Sequence, residues 1–153
     1  MFPYDIIFTK ADAYSSDGQV DKFTRELNIR YRSSIGSLIG LLSSRVDLSF
    51  AVHKLAKFLS NPGKVHFEGL VHLLRYIRDN KNLGLTYYAD TKDAPLSDLL
   101  RQANIKTENQ SMAFSDSSWQ YCTYTDRSTG SYIIFYQGGP IDHGTHVPGT
   151  VAK

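Results

Sequence analysis

Sulfur chemistry is almost missing from this chain: its 153 residues include one cysteine and two methionines. A single thiol, Cys122, excludes an internal disulfide and any zinc site built on paired thiolates, and it fits a reducing compartment. Long apolar runs are missing too. No stretch is long enough to span a bilayer, and the opening MFPYDIIFTK lacks the basic start and small-residue cleavage site of a signal peptide. The expectation is an intracellular, cytoplasmic chain with no membrane contact. Nor is there a strong charge of one sign, the net being +2. The distribution is uneven, however. Between Lys22 and Lys81 the only acids are Glu26, Asp47, Glu68 and Asp79, set against a larger number of lysines and arginines. A basic helical half permits contact with a polyanion without requiring it, and a solvated helix surface accounts for the same charges.

What is present falls into a helical half followed by a strand-rich half. Residues 1–30 carry scattered apolar positions and a Ser15-Ser16-Asp17-Gly18 turn, which predicts a loosely held lead-in. From Tyr31 onward, Ile35, Leu38, Ile39 and Leu42 recur at helical spacing, with Gly36 and Gly40 one turn apart. Two glycines inside a helix cost about 1 kcal/mol each relative to alanine, which predicts a neighbouring helix backbone lying close against them. Asp47 is expected to N-cap a second helix whose apolar face is Leu48, Ala51, Val52, Leu55, Phe58 and Leu59, ended by Asn61-Pro62-Gly63. A third helix is predicted over 65–78, with Phe67, Leu70, Val71, Leu74 and Ile77 on one side and Arg75, Arg78 and Lys81 near its C-terminal end. His53, His66 and His72 lack the four-residue spacing of a helical metal site and are expected at the surface or facing a partner. LGLTYY, residues 83–88, reads as a short strand. The polar connection over 89–111 has room for one helix, from Pro95 to Ala103, behind a proline start.

Residues 113–140, AFSDSSWQYCTYTDRSTGSYIIFYQGGP, hold the only tryptophan and the densest strand-forming run. Residues 112–115 and 131–136 read as paired strands, and Gly138-Gly139-Pro140 as the next turn. A third strand over 141–152 is interrupted by Gly144, Pro148 and Gly149, so an edge position or a bulge is expected for it. The fold class that follows is α+β: an N-terminal three-helix segment and then an antiparallel β meander.

Catalytic signatures are sparse. Gly138-Gly139 lies between strands and not before a helix, so it is a turn and not a phosphate loop. Cys122 with Asp142 and His143 supplies the residue types for nucleophilic catalysis without a signature. Asp116, expected at a strand end among Ser115, Ser117 and Ser118, suits the first ligand of a divalent metal, but one carboxylate holds Mg²⁺ poorly and a solvated acid is the simpler reading. Asp126 and Asp142 are the remaining acids considered for convergence with it.

Longer motifs add to this. YRSSIGSLIGLLSSRVDLSFAVHKLAKFLSNPGKVHFEGLVHLLRYIRDNKNLGLTYY, residues 31–88, resembles the segment after the polymerase active site in copia-type retrotransposon polyproteins, which commonly read YRSLIGSLLYL, TRPDI-FAV, P---H and LRYLKGT--LGL-Y in that order. FSDSSW at 114–119, DRSTGSYIIFYQGGPI at 126–141 and the closing VAK resemble the start of that family's ribonuclease H domain, usually SDSDWAG followed by RSTSGY-F. The resemblance implies a reverse transcriptase thumb- or connection-like helical segment over 31–88, a connecting loop over 89–111, and the first three strands of a truncated ribonuclease H-like domain over 112–153. It also implies that Asp116 is the first of the catalytic acids that bind Mg²⁺, and that the parent acts on RNA–DNA hybrids within a Pol polyprotein, in a virus-like particle. Two departures bear on activity. The polymerase tyrosine with two aspartates is missing, since Tyr88-Ala89-Asp90-Thr91 is not it, and Ser118 stands where the family has a second acid. The expectation is a fragment that is inactive alone and binds no Mg²⁺ stably. Two alternatives stand beside it: a nucleic-acid-binding remnant gripping phosphates through Lys64, Arg75, Arg78 and Lys81, or a relic that self-associates through exposed strand edges.

Overall fold

Tyr31, Ile35, Leu38 and Leu42 lie at i, i+4, i+7 and i+11, one stripe of a helix, and all four are buried. The computed structural model describes residues 12, 17–27, 29–89, 94–102, 111–118 and 129–146. They fall into two units, one up to Leu83 and one from Gly84 onward. The first contains α1 (Asp17–Leu27), α2 (Tyr31–Leu41), a 3₁₀ turn (Val46–Leu48), α3 (Ser49–Ala56) and α4 (Lys64–Asp79). The second contains α5 (Pro95–Gln102), β1 (Ser111–Ser118), β2 (Thr129–Tyr136) and β3 (Gly139–His146). This is an α+β chain, as its pattern predicts. Trp119, Cys122 and Asp126 lie outside the described residues, as do Pro148, Gly149 and the closing VAK.

The helical unit closes around Phe67, which is fully buried. Its ring meets Tyr31 at 5.2 Å and Phe23 at 5.7 Å, both tilted, so α1, α2 and α4 converge on one side chain. Tyr31 carries a polar tip into this core, and its hydroxyl donates to the Leu55 carbonyl at 2.9 Å, tying α2 to α3. Burial pushes the phenol pKa well above its ordinary value. Leu48, Ala51, Val52, Leu55 and Phe58 complete the cluster from the second helical stretch, as their spacing predicts.

Several expectations fail, each for a local reason. Part of the lead-in is a helix: Val20 and Phe23 pack against the core from α1, because a three-residue step puts both on one helical face despite the turn-like Asp17-Gly18 before them. Ile39 is 49% exposed, since the buried stripe runs through Leu38 and Leu42 and leaves it to one side. Gly36 and Gly40 are exposed, and a Cβ added to either meets nothing within 4 Å, so no close helix approach explains them. Asp47 is no N-cap. It sits within the 3₁₀ turn, α3 starts behind Leu48 without a side-chain cap, and the carboxylate is used elsewhere. Residues 83–88 form no strand. Tyr88 N–H reaches Gln137 O at 3.5 Å, one backbone contact and not a ladder.

His66 also overturns its surface assignment. It is completely buried, stacked on Phe58 at 3.9 Å, and its Nδ1 accepts the Gly63 N–H at 2.8 Å. Gly63 is the N-cap of α4 and His66 its third residue, so the imidazole does for an orphan helix N–H what glutamate does in a capping box. Burial lowers its pKa to about 4, against the opposing pull of Asp12.

In the second unit the sheet order is β1-β2-β3, antiparallel throughout, with β2 central. Gln137 and Gly138 join β2 to β3 with φ of 47° and 74°, the double positive φ of a two-residue hairpin turn whose twist matches its strands. β3 is an edge strand with a bulge, as expected of the third strand, but it starts at Gly139 and not at 141, so the turn falls on Gln137-Gly138 and not on Gly138-Gly139-Pro140. Ile134 pairs with Asp142 and Phe135 with Pro140, so Ile141 is the extra residue, while Pro148 and Gly149 lie outside the described residues.

Two outcomes follow from this packing. Gly36→Ala and Gly40→Ala should each stabilise the helical unit by up to about 1 kcal/mol in urea unfolding followed by circular dichroism, because the methyl enters open space on a helix. An unfolded histidine titrates near 6.5 and folded His66 near 4, so its contribution is complete above pH 6.5 and is lost as pH falls toward 4, where the unfolded chain takes up a proton the core refuses. That loss amounts to about 3 kcal/mol. It should vanish from the pH dependence of unfolding in His66→Gln.

Candidate functional site

β1 alternates its side chains, so Met112, Phe114 and Asp116 share one face of the sheet. Asp116 pairs with Ser131 on β2, which pairs with Thr145 on β3. It is exposed, and β1 continues past it to Ser118, so it lies within the strand and not at its end. On the same face, Phe114 and Phe135 meet edge to face at 5.9 Å. Asp142 pairs with Ile134, which pairs with Ala113, and an odd step separates Ala113 from Asp116. Asp142 therefore belongs to the opposite face. There it accepts the Tyr132 hydroxyl at 3.2 Å and the His143 N–H at 2.8 Å, and its charge raises the Tyr132 pKa. The two acids do not converge. Among the described residues no three histidine, cysteine or acidic side chains gather in a way that would hold a metal ion. A lone exposed carboxylate does not make a Mg²⁺ site on its own.

The four cations considered for phosphate binding are all exposed. Lys64, Arg75 and Arg78 fall on the outer stripe of α4, while Lys81 lies in the turn beyond its end. Lys64 and Arg78 stand at opposite ends of the helix, about 20 Å apart along its axis. Acids share the stripe: Glu68 lies 3.7 Å from Lys64, and Asp79 lies 2.8 Å from Arg78. The Asp79 carboxyl is held below its usual range by the Arg78 hydrogen bond. This is a mixed-charge surface, less basic than the count of cations suggests.

The best-organised polar cluster sits elsewhere in the helical unit and was not anticipated. Arg45, only 8% exposed, holds Asp47 through one edge of its guanidinium, Nε and Nη2 donating at 2.9 and 2.8 Å, and its Nη1 donates to the Asn80 carbonyl at 3.1 Å. Tyr76 donates its hydroxyl to the same carboxylate at 3.1 Å. The Arg45 hydrogen bonds hold the Asp47 carboxyl below its usual value. A bidentate pair two residues apart locks the turn before α3 onto the end of α4. That is a structural role, and an Arg-Val-Asp spacing beside a buried leucine was its only trace in the sequence.

Sequence comparison finds relatives of this chain among known proteins. The chain is a relative of the retrovirus-related Pol polyproteins of transposons. It is 30% identical over 111 residues to the Pol polyprotein of transposon RE1 from Arabidopsis thaliana, which covers 72% of this chain and 6% of that protein. With the Pol polyprotein of transposon TNT 1-94 from Nicotiana tabacum it shares 41% identity over 51 residues, 33% of this chain and 4% of the relative. A third relative, the secreted RxLR effector protein 161 of Plasmopara viticola, is 28% identical over 126 residues, 82% of this chain and 78% of that protein. The chain thus spans a small part of the polyproteins and most of the effector. No family profile matches it. No solved structure matches it either.

The two kinds of ion pair should respond differently to mutation. Asp47→Asn leaves the Arg45 guanidinium buried without its counter-charge, and denaturant unfolding should show a loss of about 2 kcal/mol, moderated because the Asp47 side chain is 35% exposed. Lys64→Ala should change stability by less than about 0.5 kcal/mol, because both partners of its pair are solvated.

Proposed function

We propose that this chain corresponds to a segment of a copia-type reverse transcriptase and ribonuclease H polyprotein. On this reading the helical unit is the region that follows the polymerase palm, and β1, β2 and β3 are the opening strands of the nuclease domain. The observation that carries it is Asp116, standing on the first strand of a three-stranded antiparallel meander within a chain related to transposon Pol polyproteins. The parent would copy RNA into DNA and cut RNA in hybrids, and Asp116 would be this chain's single contribution to a Mg²⁺ site whose other ligands come from elsewhere in the polyprotein. Alone, the chain is catalytically silent, because one exposed carboxylate neither holds the metal nor positions a water.

A second reading is favoured by the similarity to the RxLR effector, which extends over 82% of this chain and 78% of that protein: a segment descended from such a polyprotein and acting without nuclease chemistry.

Hybrid cleavage in the presence of Mg²⁺ separates these readings. The chain alone should show no turnover above background. A chimera continuing it with the rest of the RE1 ribonuclease H region should cleave hybrids, and Asp116→Asn should return that chimera to background. A folded chimera with no activity would overturn the nuclease assignment. Asp116-dependent cleavage by the chain alone would overturn the claim that it is silent.

A further inference from the structure

β1 has β2 on one side and, among the described residues, no strand on the other. Alternate residues of an antiparallel strand direct both N–H and C=O away from the neighbour they pair with, so an open row of donors and acceptors runs along this edge from Ser111 to Ser118. The devices that usually protect such an edge are scarce. β1 contains no lysine and no proline, its pairing with β2 is unbroken, and its one charge is Asp116. Its side chains are poorly covered as well, with Phe114 still 43% exposed although Phe135 meets it edge to face. Water can satisfy an open backbone row, and a single exposed phenyl is common on a surface.

The sequence of this edge is also complementary to itself. When a second copy of β1 is laid antiparallel about a twofold axis, the pleat requires residues opposite each other to share a face, which places the axis at a residue and not between two. With the axis at Phe114, that ring stands opposite its own counterpart, Met112 opposite Asp116, Ala113 opposite Ser115 and Ser111 opposite Ser117. The two Phe114 rings then join the two Phe135 rings in one aromatic row, while the other face presents only small side chains along the seam. Other axes do worse. An axis at Ser115 sets Phe114 against Asp116, one at Asp116 sets two carboxylates against each other, and one at Ala113 shortens the ladder to Ser111–Ser115.

We propose that this chain dimerises with a second copy of itself through β1, joining two three-stranded sheets into one with the twofold axis at Phe114. The open backbone row supplies the hydrogen bonds, and the Phe114 pair with the separation of the two Asp116 charges selects the register. Because the contact is twofold, it closes on itself and assembly stops at the dimer. The interface uses the sheet alone and needs no nuclease chemistry, so it and the nuclease reading can fail separately.

The test is sedimentation velocity of the full chain between about 1 and 100 μM, with amide hydrogen exchange measured at both ends of that range. The average mass should rise from 17.2 kDa toward twice that value and stop there, and β1 amides should exchange more slowly in the concentrated sample. Phe114→Lys and Phe114→Glu should each raise the dimer dissociation constant at least about tenfold, since like charges then stand opposite each other, and an equimolar mixture of the two should dimerise again. Under an axis at Ser115, Phe114→Lys would instead meet Asp116 and tighten the dimer. Position 114 is exposed, and far-ultraviolet circular dichroism reports whether each variant folds. The proposal is overturned by a chain that stays monomeric, by assembly beyond a dimer, by a dimer whose β1 amides gain no protection, by tightening in Phe114→Lys, or by a mixture of folded variants that fails to associate.

Discussion

Phe67 is the constraint on which the helical unit rests. Its ring is in contact with Phe23 from α1 and Tyr31 from α2 while its own backbone belongs to α4, so three helices are positioned by one side chain. Tyr31 then passes the constraint to α3 through its hydroxyl, which reaches Leu55 at 2.9 Å. A tyrosine at this point does what a phenylalanine would not. It fills the core with its ring and answers a helix-end carbonyl with its tip, so the short α3 is held by a hydrogen bond as well as by packing. α3 has only eight residues, too few to be stable from propensity alone, and this link with the burial of Val52 and Leu55 is what keeps it helical.

Polar groups finish the same unit at its seams. His66 caps the start of α4 from inside the core, and Arg45 with Asp47 and Tyr76 secures its other end to the turn before α3. The electrostatics differ accordingly. Burial holds His66 well below its ordinary titration and the pairing with Arg45 lowers the Asp47 carboxyl, whereas the outer stripe of α4 carries solvated pairs that contribute little to stability. Asp116 lies in neither place but on the sheet, where it is exposed and stands apart from Asp142 on the other face.

Much of this was legible in the amino-acid pattern because it depends on periodicity. The i, i+4, i+7 stripe from Tyr31, the Leu48 to Phe58 face and the two aromatic β runs all follow from which residues avoid water. The misreadings share a different cause. α1 looked like a lead-in because Asp17-Gly18 signals a turn, and only the core supplied by later helices makes Val20 and Phe23 worth burying. His66 looked like a surface residue because nothing local says that its ring will find the Gly63 N–H. Asp47 looked like a cap because its attraction to Arg45 depends on where α4 ends, at Asn80. Gly36 and Gly40 suggested a close contact that the helix turns away from. The candidate site was legible only as a residue type at a place on a strand, since convergence of acids is a property of the whole fold and not of the spacing around one of them.

The Ile141 bulge has a directional effect. It breaks the regular ladder on the β3 side, where Pro140 also lacks an N–H, while β1 runs straight from Ser111 to Ser118 with no proline and no irregularity in its pairing to β2. Growth of this sheet is therefore polarised. A fourth strand finds a regular template beside β1, and whatever side chains it carries arrive next to Asp116 and away from Asp142.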